Sequence, residues 1–165
     1  MDNLHTPDNL QQFIAESRER LKELSAINQT TSLVKEGKSI EDTLKQLVFI
    51  IVKAYQYPEQ TFVRITYDHE QYTSCDFKDT PWVQNHNFET IDGCKGNIEV
   101  FYSVEFPVCD EGPFLEEERH MLNNIANLIT GYINSVKAKA ILAKTKSEET
   151  ETQPKPSIET TIGKQ

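Results

Sequence analysis

The 165 residues of this chain, with a mass of 19.0 kDa, fit one domain of ordinary size and exclude two domains with independent cores. Lys and Arg number 17 against 26 Asp and Glu, which gives a net charge of −9 and disfavours a broad binding surface for nucleic acid or anionic lipid. The composition therefore predicts neither a nucleic-acid partner nor insertion into a membrane.

The N-terminal segment and the cysteines indicate the compartment. Residues 1–5 contain neither a basic n-region nor an apolar stretch, so no export signal is visible and a cytoplasmic location is expected. Cys75, Cys94 and Cys109 are odd in number and never form a C-x-x-C pair, which argues against a disulfide scaffold or a zinc knuckle. We expect reduced thiols, no metal and no cofactor.

Apolar residues recur at helical spacing from Pro7 to Lys35, which predicts one long amphipathic helix. Within it, positions 10, 14, 17, 21, 24, 28 and 31 alternate steps of four and three, as in the seam of a coiled coil. Ser17, Asn28 and Thr31 occupy three of these positions, so the seam is weak by itself.

A second helix is predicted between Ser39, which can cap its N-terminus, and Pro58, which cannot continue it. The hydrophobic period then changes from 3.6 to 2. Residues 61–67 are typical of a strand, and residues 70–77 are expected to return beside it after a turn.

The next segments predict a further pair of strands. Pro81 is incompatible with a central strand, so residues 78–85 are interpreted as a loop that carries Trp82. Residues 86–91 and 97–106 then form a hairpin. The predicted fold class is α+β, with an antiparallel sheet of about four or more strands and the N- and C-terminal helices packed on one face.

The C-terminal part of the chain divides into a helix and a tail. Glu116, Glu117 and Glu118 suit the first turn of a last helix, whose apolar stripe continues almost to Ala143. Residues 144–165 contain no aromatic residue and are expected to be a disordered polar tail. The predicted domain therefore spans residues 1–143, with its core at about 39–136.

The predicted lengths of the terminal helices point to a dimer. A helix from residue 115 to residue 143 is roughly 43 Å long, whereas strands of seven to ten residues span only about 24 to 34 Å. Overhanging apolar stripes are left in water unless they meet a second copy, so a homodimer is predicted. The candidate interface residues on the two helices are Leu21, Leu24, Leu122, Ile129, Ile133 and Val136.

Strand alternation also predicts a candidate ligand pocket. It places Phe62, Arg64, Glu99 and Phe101 on one face of the sheet, with Trp82 approaching from its loop. Arg64 would anchor an anionic small molecule through paired hydrogen bonds. The alternative is that Arg64 and Glu99 form a cross-strand surface pair, which such residues commonly do.

Catalytic chemistry has little support in the sequence. A nucleophilic Cys–His pair would require an activating context that no motif supplies, and adjacent acids at Asp110 and Glu111 are more typical of a capping segment than of glycosidase carboxylates. We assign no catalytic residue and expect that the chain is not an enzyme.

Several short sequence motifs occur in this order: residues 19–24 (ERLKEL), 55–59 (YQYPE), 80–82 (TPW), 96–102 (GNIEVFY) and 110–119 (DEGPFLEEER). Over about residues 18–139 the chain resembles a small GAF-like sensor domain found ahead of bacterial histidine kinases and ahead of some pyruvate phosphate dikinase or phosphoenolpyruvate synthase-like enzymes. The resemblance implies helices from both termini on one face of an antiparallel sheet, a ligand pocket on the other, and signalling through the terminal helices.

The resemblance implies a non-catalytic sensory or regulatory module that binds a small cytoplasmic ligand and signals as a dimer. Residues 85–89 do not reproduce the cyclic-nucleotide signature, and no cysteine stands in a bilin-attachment context. No transmitter or dikinase domain follows Ala143, so the expected output is a separate kinase or dikinase-like protein. The alternative is a ligand-free dimerisation or protein-interaction module that regulates such a partner.

Overall fold

A computed structural model describes residues 7–152 of the chain, and the side chains of residues 8–147. A short 3-10 helix at Pro58–Gln60 links the first two helices to the sheet. The remaining elements follow in chain order: α1 (Pro7–Lys35), α2 (Ile40–Ala54), β1 (Thr61–Tyr67), β2 (Glu70–Thr73), β3 (Val83–Glu89), β4 (Lys95–Tyr102) and α3 (Glu116–Thr152).

The helix α2 begins where its capping residue predicts. The Ser39 hydroxyl accepts a hydrogen bond from the backbone N–H of Asp42 at 3.1 Å, which satisfies one of the donors left free in the first turn. The apolar stripe of α2 is fully buried against the sheet and the other helices, with Leu44, Leu47 and Ile51 at its centre.

The four strands form one antiparallel sheet in the order β2-β1-β4-β3. Val63 lies opposite Val100, and Arg64 lies opposite Glu99. Because strand side chains alternate, this register gives one face of buried apolar residues under the helices and a second, more polar face. The predicted α+β class, with terminal helices packed against an antiparallel sheet, is confirmed.

Three strands differ in extent from the sequence prediction. β2 ends at Thr73 instead of residue 77. β3 begins at Val83, and β4 ends at Tyr102 instead of residue 106. The backbone N–H of Tyr102 still pairs with the carbonyl of Trp82, but that of Ser103 turns to the carbonyl of Gln60. The ladder ends there because the next donor has left the sheet.

The helices α1 and α3 run in the same direction, and α2 runs opposite to both. At one end, the Lys22 ammonium donates to the carbonyl of Tyr55 and the Glu118 carboxylate accepts from the N–H of Gln56. At the other end, the Tyr132 hydroxyl donates to the carbonyl of Lys38. The start of α1 and the end of α3 therefore project from opposite ends of the domain.

The helix α3 continues further than the sequence predicted. It extends to Thr152, so residues 144–152 are helical instead of belonging to a disordered tail. Adding a residue to an existing helix costs little, and the Lys and Glu residues of this segment are good helix formers. Residues 153–165 lie outside the described residues.

Three of the predicted dimer residues belong to the core of a single chain. Leu122, Ile129 and Ile133 are completely buried by the sheet and by α1 and α2, and Val136 is half-buried. The prediction that these three form an intermolecular seam was wrong, because the sheet and the flanking helices already cover the apolar stripe of α3. Within residues 7–152, no helix has the length and apolar character needed to cross a membrane.

Candidate functional site

The Arg64 guanidinium lies on the open face of the sheet between two carboxylates. Its Nε donates to Oε1 of Glu99 at 2.8 Å, and its two terminal nitrogens donate to the Asp79 carboxylate at 2.9 and 3.0 Å. The bidentate contact with Arg64 lowers the pKa of Asp79 below its ordinary value. The charge of Arg64 is thus matched within the chain.

Two aromatic rings flank the guanidinium, and a third ring stacks on one of them. The ring of Phe77 stacks on Phe62 with centroids 5.2 Å apart and tilts against Phe101 at 5.1 Å. The Arg64 Cζ lies 5.3 Å from the centroid of Phe101 and 5.8 Å from that of Phe77, within the range of cation–π attraction. We call these residues the Arg64 cluster: Phe62, Arg64, Phe77, Asp79, Glu99 and Phe101.

The predicted grouping of Phe62, Arg64, Glu99 and Phe101 on one face agrees with the observed register. Trp82 does not join them, and the expectation that it closes the pocket was wrong. It precedes Val83, which pairs with Phe101, so Trp82 points with Tyr102 to the helix face and packs against the core.

Phe77 and Asp79 take the place that sequence reasoning gave to Trp82. Both lie in the loop before Pro81, although the sequence analysis assigned Phe77 to the end of the second strand. The cross-strand pair of Arg64 and Glu99, which was the alternative interpretation, is present. An anionic ligand at Arg64 would have to displace the Asp79 carboxylate. In the structure, the contacts of Arg64 with Asp79 and Phe77 instead hold the loop before β3 against the sheet.

One row further along the same sheet face, Thr66, Asn97 and Asn87 lie side by side on three strands. They line an open cleft of about 550 Å³ together with the hairpin residues 92–96 and the turn at residues 68 and 69. The amide of Asn97 donates to the Asn87 side chain, while its own buried Oδ1 has no hydrogen-bond partner among the described residues. Polar side chains from three strands therefore line this cleft.

The exposed side of α1 carries apolar residues at the predicted heptad spacing. Leu10, Ile14, Leu21 and Leu24 are 49%, 45%, 65% and 51% exposed. The opposite side of the helix is packed into the domain, where Ala26, Thr30 and Leu33 are buried. We call positions 10, 14, 17, 21, 24, 28 and 31 the α1 seam; Ser17 and Thr31 are half-buried and the other five are exposed.

The Glu118 carboxylate is buried where three parts of the fold meet. Its oxygens accept backbone hydrogen bonds from Gln56 at 2.6 Å and Leu115 at 2.8 Å, and the Tyr102 hydroxyl donates at 3.4 Å. Burial raises the pKa of Glu118 to about 7 against the opposing effect of these donors. Sequence reasoning placed Glu118 in the first turn of α3 but did not predict its burial.

The thiols and the imidazole considered for catalysis lie in different surroundings. Cys75 and Cys109 are exposed, whereas Cys94 lies beside Lys137 with 3.4 Å between Sγ and Nζ. His86 lies on the helix face, where burial lowers its pKa below the ordinary value. Over the part of the chain that the structure describes, no group of three His, Cys, Asp or Glu side chains is placed to hold a metal ion.

No protein-family model, curated protein or solved structure matches this chain. The likeness to GAF-like sensor domains therefore rests on the short sequence motifs between residues 19 and 119, and the function that it implies stays a prediction.

Proposed function

We propose that this chain is a non-catalytic regulatory module that self-associates through the α1 seam. The observation that carries the proposal is the exposure of Leu10, Ile14, Leu21 and Leu24 along one side of a helix whose other side is packed in the domain. Apolar residues at this spacing lie along one side of the helix, and a second copy presents the same side. The partner of this surface is therefore another molecule of the same chain.

The projecting start of α1 supports the same conclusion. Residues 8–16, which form the first turns of α1, are all exposed. A free-standing helical segment of this length is marginal in water, because most helix stability in proteins comes from packing of an apolar face. Pairing with a second α1 would provide that packing for Leu10, Phe13 and Ile14.

The resemblance to GAF-like domains supports a regulatory role for the dimer. In such a module, the projecting ends of α1 and α3 would transmit a change in the domain to a separate kinase or dikinase-like protein. The Arg64 cluster favours a regulatory module that binds no anionic ligand at this site, because the Arg64 guanidinium is already paired with the carboxylates of Glu99 and Asp79.

Substitution of an exposed seam residue tests the proposal. Leu21→Asp places a charge in the interface, where an unpaired carboxylate is costly, yet the side chain is exposed in the single chain and the fold should persist. We expect light scattering to show a dimer for the wild type and a monomer for Leu21→Asp, with unchanged circular dichroism per residue. Val108→Asp, at an exposed apolar loop residue outside the α1 seam, should stay dimeric.

Ligand sensing is the second candidate, and the cleft beside Asn97 favours it. The side chains of Thr66, Asn87 and Asn97, which line this cleft, would hydrogen-bond a small polar molecule that carries N–H or O–H groups. A thermal-shift screen of nucleotides and metabolites tests this, since a ligand at a hundredfold over its Kd stabilises by about 2.7 kcal/mol. Asn97→Ala should abolish any such shift, and a screen without a hit would exclude this candidate for the compounds used.

A further inference from the structure

We propose that Asp92, Cys94 and Lys137 form a peroxide-sensitive switch at the point where α3 leaves the domain. The switch lies outside the α1 seam and does not depend on self-association. Its oxidant is hydrogen peroxide, which is small enough to enter the cleft that Cys94 lines. Oxidation of the Cys94 thiol would weaken the contact through which the turn between β3 and β4 holds α3.

Two side chains of α3 hold the turn between β3 and β4. The Asn134 Oδ1 accepts a hydrogen bond from the backbone N–H of Ile91 at 2.8 Å, and the Lys137 ammonium donates to Oδ2 of Asp92 at 2.5 Å. Residues 138–147 of α3 are all exposed, so the turn contacts the helix where it begins to project from the domain. A change at this turn would therefore reach the projecting part of α3.

The sulfur of Cys94 lies against both members of the contact that holds α3. The Lys137 ammonium, which has three N–H donors, contacts the Asp92 carboxylate, the Cys94 sulfur at 3.4 Å and the face of the Tyr67 ring, whose centroid is 5.0 Å away. The Cys94 thiol in turn donates to Oδ2 of Asp92 at 3.5 Å. A chemical change at the sulfur must therefore be felt by the pair of Asp92 and Lys137.

The surroundings of Cys94 suit a reactive thiol better than those of Cys109. Reactive cysteines are commonly partly exposed and lie beside a cation. Cys94 is half-buried, its sulfur faces the Lys137 ammonium, and the cleft gives access from solvent. At Cys109, partial burial of the sulfur raises the pKa of the thiol, which lowers the fraction of thiolate that can attack a peroxide. We therefore expect Cys94 to be oxidised before Cys109.

The oxidation step balances with one molecule of peroxide. The Cys94 sulfur attacks one peroxide oxygen, so that an S–O bond forms while the O–O bond breaks. The hydroxide that leaves takes the thiol proton and departs as water, and the sulfur is left as a sulfenic acid. The sulfur is thereby oxidised by two electrons and the peroxide is reduced by two. An added dithiol reduces the sulfenic acid back to the thiol, so the step is reversible.

The added oxygen has to find room among groups that already touch the sulfur. The Lys137 nitrogen at 3.4 Å and the Asp92 oxygen at 3.5 Å both lie at contact distance from Sγ. An oxygen on this side of the sulfur would take a donor of Lys137, because an ionised sulfenate accepts a stronger hydrogen bond than a thiol sulfur does. The hydrogen bond from Lys137 to Asp92 should then weaken, and with it the contact between the turn and α3.

Dimedone, which labels sulfenic acids, tests the oxidation. Chains that keep one cysteine each, with the other two replaced by Ser, are treated with hydrogen peroxide and dimedone and followed by intact-mass spectrometry. Labelling at Cys94 should be at least about threefold faster than at Cys109, and Lys137→Met should remove this advantage. Lys139→Met, the same loss of charge at an exposed position of α3, should leave the rate unchanged. Labelling of Cys94 at one rate with and without Lys137 would overturn the proposal.

Amide exchange at Ile91 tests the effect on α3, because its N–H donates to Asn134. In the chain that keeps only Cys94, NMR should show this hydrogen exchanging at least about threefold faster after oxidation, and dithiothreitol should restore the slow rate. Lys137→Met should show the fast rate without oxidation. Peroxide should leave the rate unchanged in Cys94→Ser, which separates the effect from oxidation of methionine. An oxidised chain that exchanges as slowly as the reduced one would show a modified thiol without a switch, and would refute the proposal.

Discussion

The ring of Phe88 lies directly over Gly96, its cross-strand neighbour. A Cβ added at Gly96 would clash with the ring of Phe88. Tyr67, which pairs with Gly96 from the other side, stacks with Phe88 at a centroid distance of 5.9 Å. Two aromatic rings from neighbouring strands thus meet above a residue without a side chain. This contact closes the hairpin end of the core.

Substitution of this glycine should be destabilising for steric reasons. In Gly96→Ala, the methyl group would occupy the space of the buried Phe88 ring and displace it from Tyr67. We expect a loss of about 1 to 3 kcal/mol in the free energy of unfolding, measured with urea. Gly131→Ala is the control, because nothing lies within 4 Å of a Cβ at that exposed helical position. That variant should be neutral or slightly stabilising.

The buried carboxylate of Glu118 predicts a pH dependence of stability. Its pKa is raised from 4.5 to about 7 in the folded chain, so the unfolded chain loses this proton at lower pH than the folded chain does. The contribution is therefore fully present below pH 4.5, falls as the pH rises to about 7, and is constant above that. The decrease amounts to about 3 kcal/mol at most.

Urea unfolding of the wild type and of Glu118→Gln across this range isolates the effect. The amide has no proton to lose, so the stability of the wild type relative to the variant should fall between pH 4.5 and 7. Glu116→Gln serves as the control, because Glu116 is an exposed carboxylate two residues before Glu118 on the same helix. If the difference in the free energy of unfolding between the wild type and Glu118→Gln did not change with pH, the pKa of Glu118 would not be raised in the folded chain.

The Arg64 cluster predicts protease protection of the loop before β3. Lys78 is exposed between Phe77 and Asp79, the two residues through which Arg64 holds this loop. In Arg64→Ala we expect trypsin to cleave after Lys78 about tenfold faster, which corresponds to roughly 1.4 kcal/mol lost from the closed loop. Arg18→Ala, on the exposed part of α1, should leave the rate unchanged. An unchanged rate in Arg64→Ala would show that other contacts hold the loop.

Ile129 is completely buried in the core of the single chain and lies outside the proposed dimer surface. Ile129→Ala removes buried methyl groups and should lower the free energy of unfolding by about 2 to 5 kcal/mol. Leu142→Ala, on the exposed part of α3, should change it by less than about 0.5 kcal/mol. Similar losses in both variants would indicate that the end of α3 is packed as well.

The two faces of the sheet could be predicted because alternation is a local property of a strand. The positions of Val63 and Val100, and of Arg64 and Glu99, follow from counting residues once the strands are known. Trp82 could not be placed in the same way, since its direction depends on where β3 begins. That start is set by the hydrogen bond from Tyr102 to the Trp82 carbonyl, which is a tertiary contact.

The helices show a second limit. A heptad or 3.6-residue pattern identifies an apolar side, but it does not say what covers that side. Ile129 and Leu21 both occupy such stripes, yet the first is buried in its own chain and the second is exposed. Glu118 illustrates the same limit for charge, because an acid in a first helical turn satisfies the dipole whether it lies in water or in the core.

Sedimentation equilibrium of the wild-type chain tests the central claim most directly. At tens of micromolar, an order of magnitude at which helix-mediated interfaces of micromolar Kd are occupied, we expect the mass of two chains, 2 × 19.0 = 38.0 kDa. Dilution should lower the mass towards that of one chain, and Leu21→Asp should show one chain throughout. A wild-type mass of 19.0 kDa at all these concentrations would contradict self-association through α1.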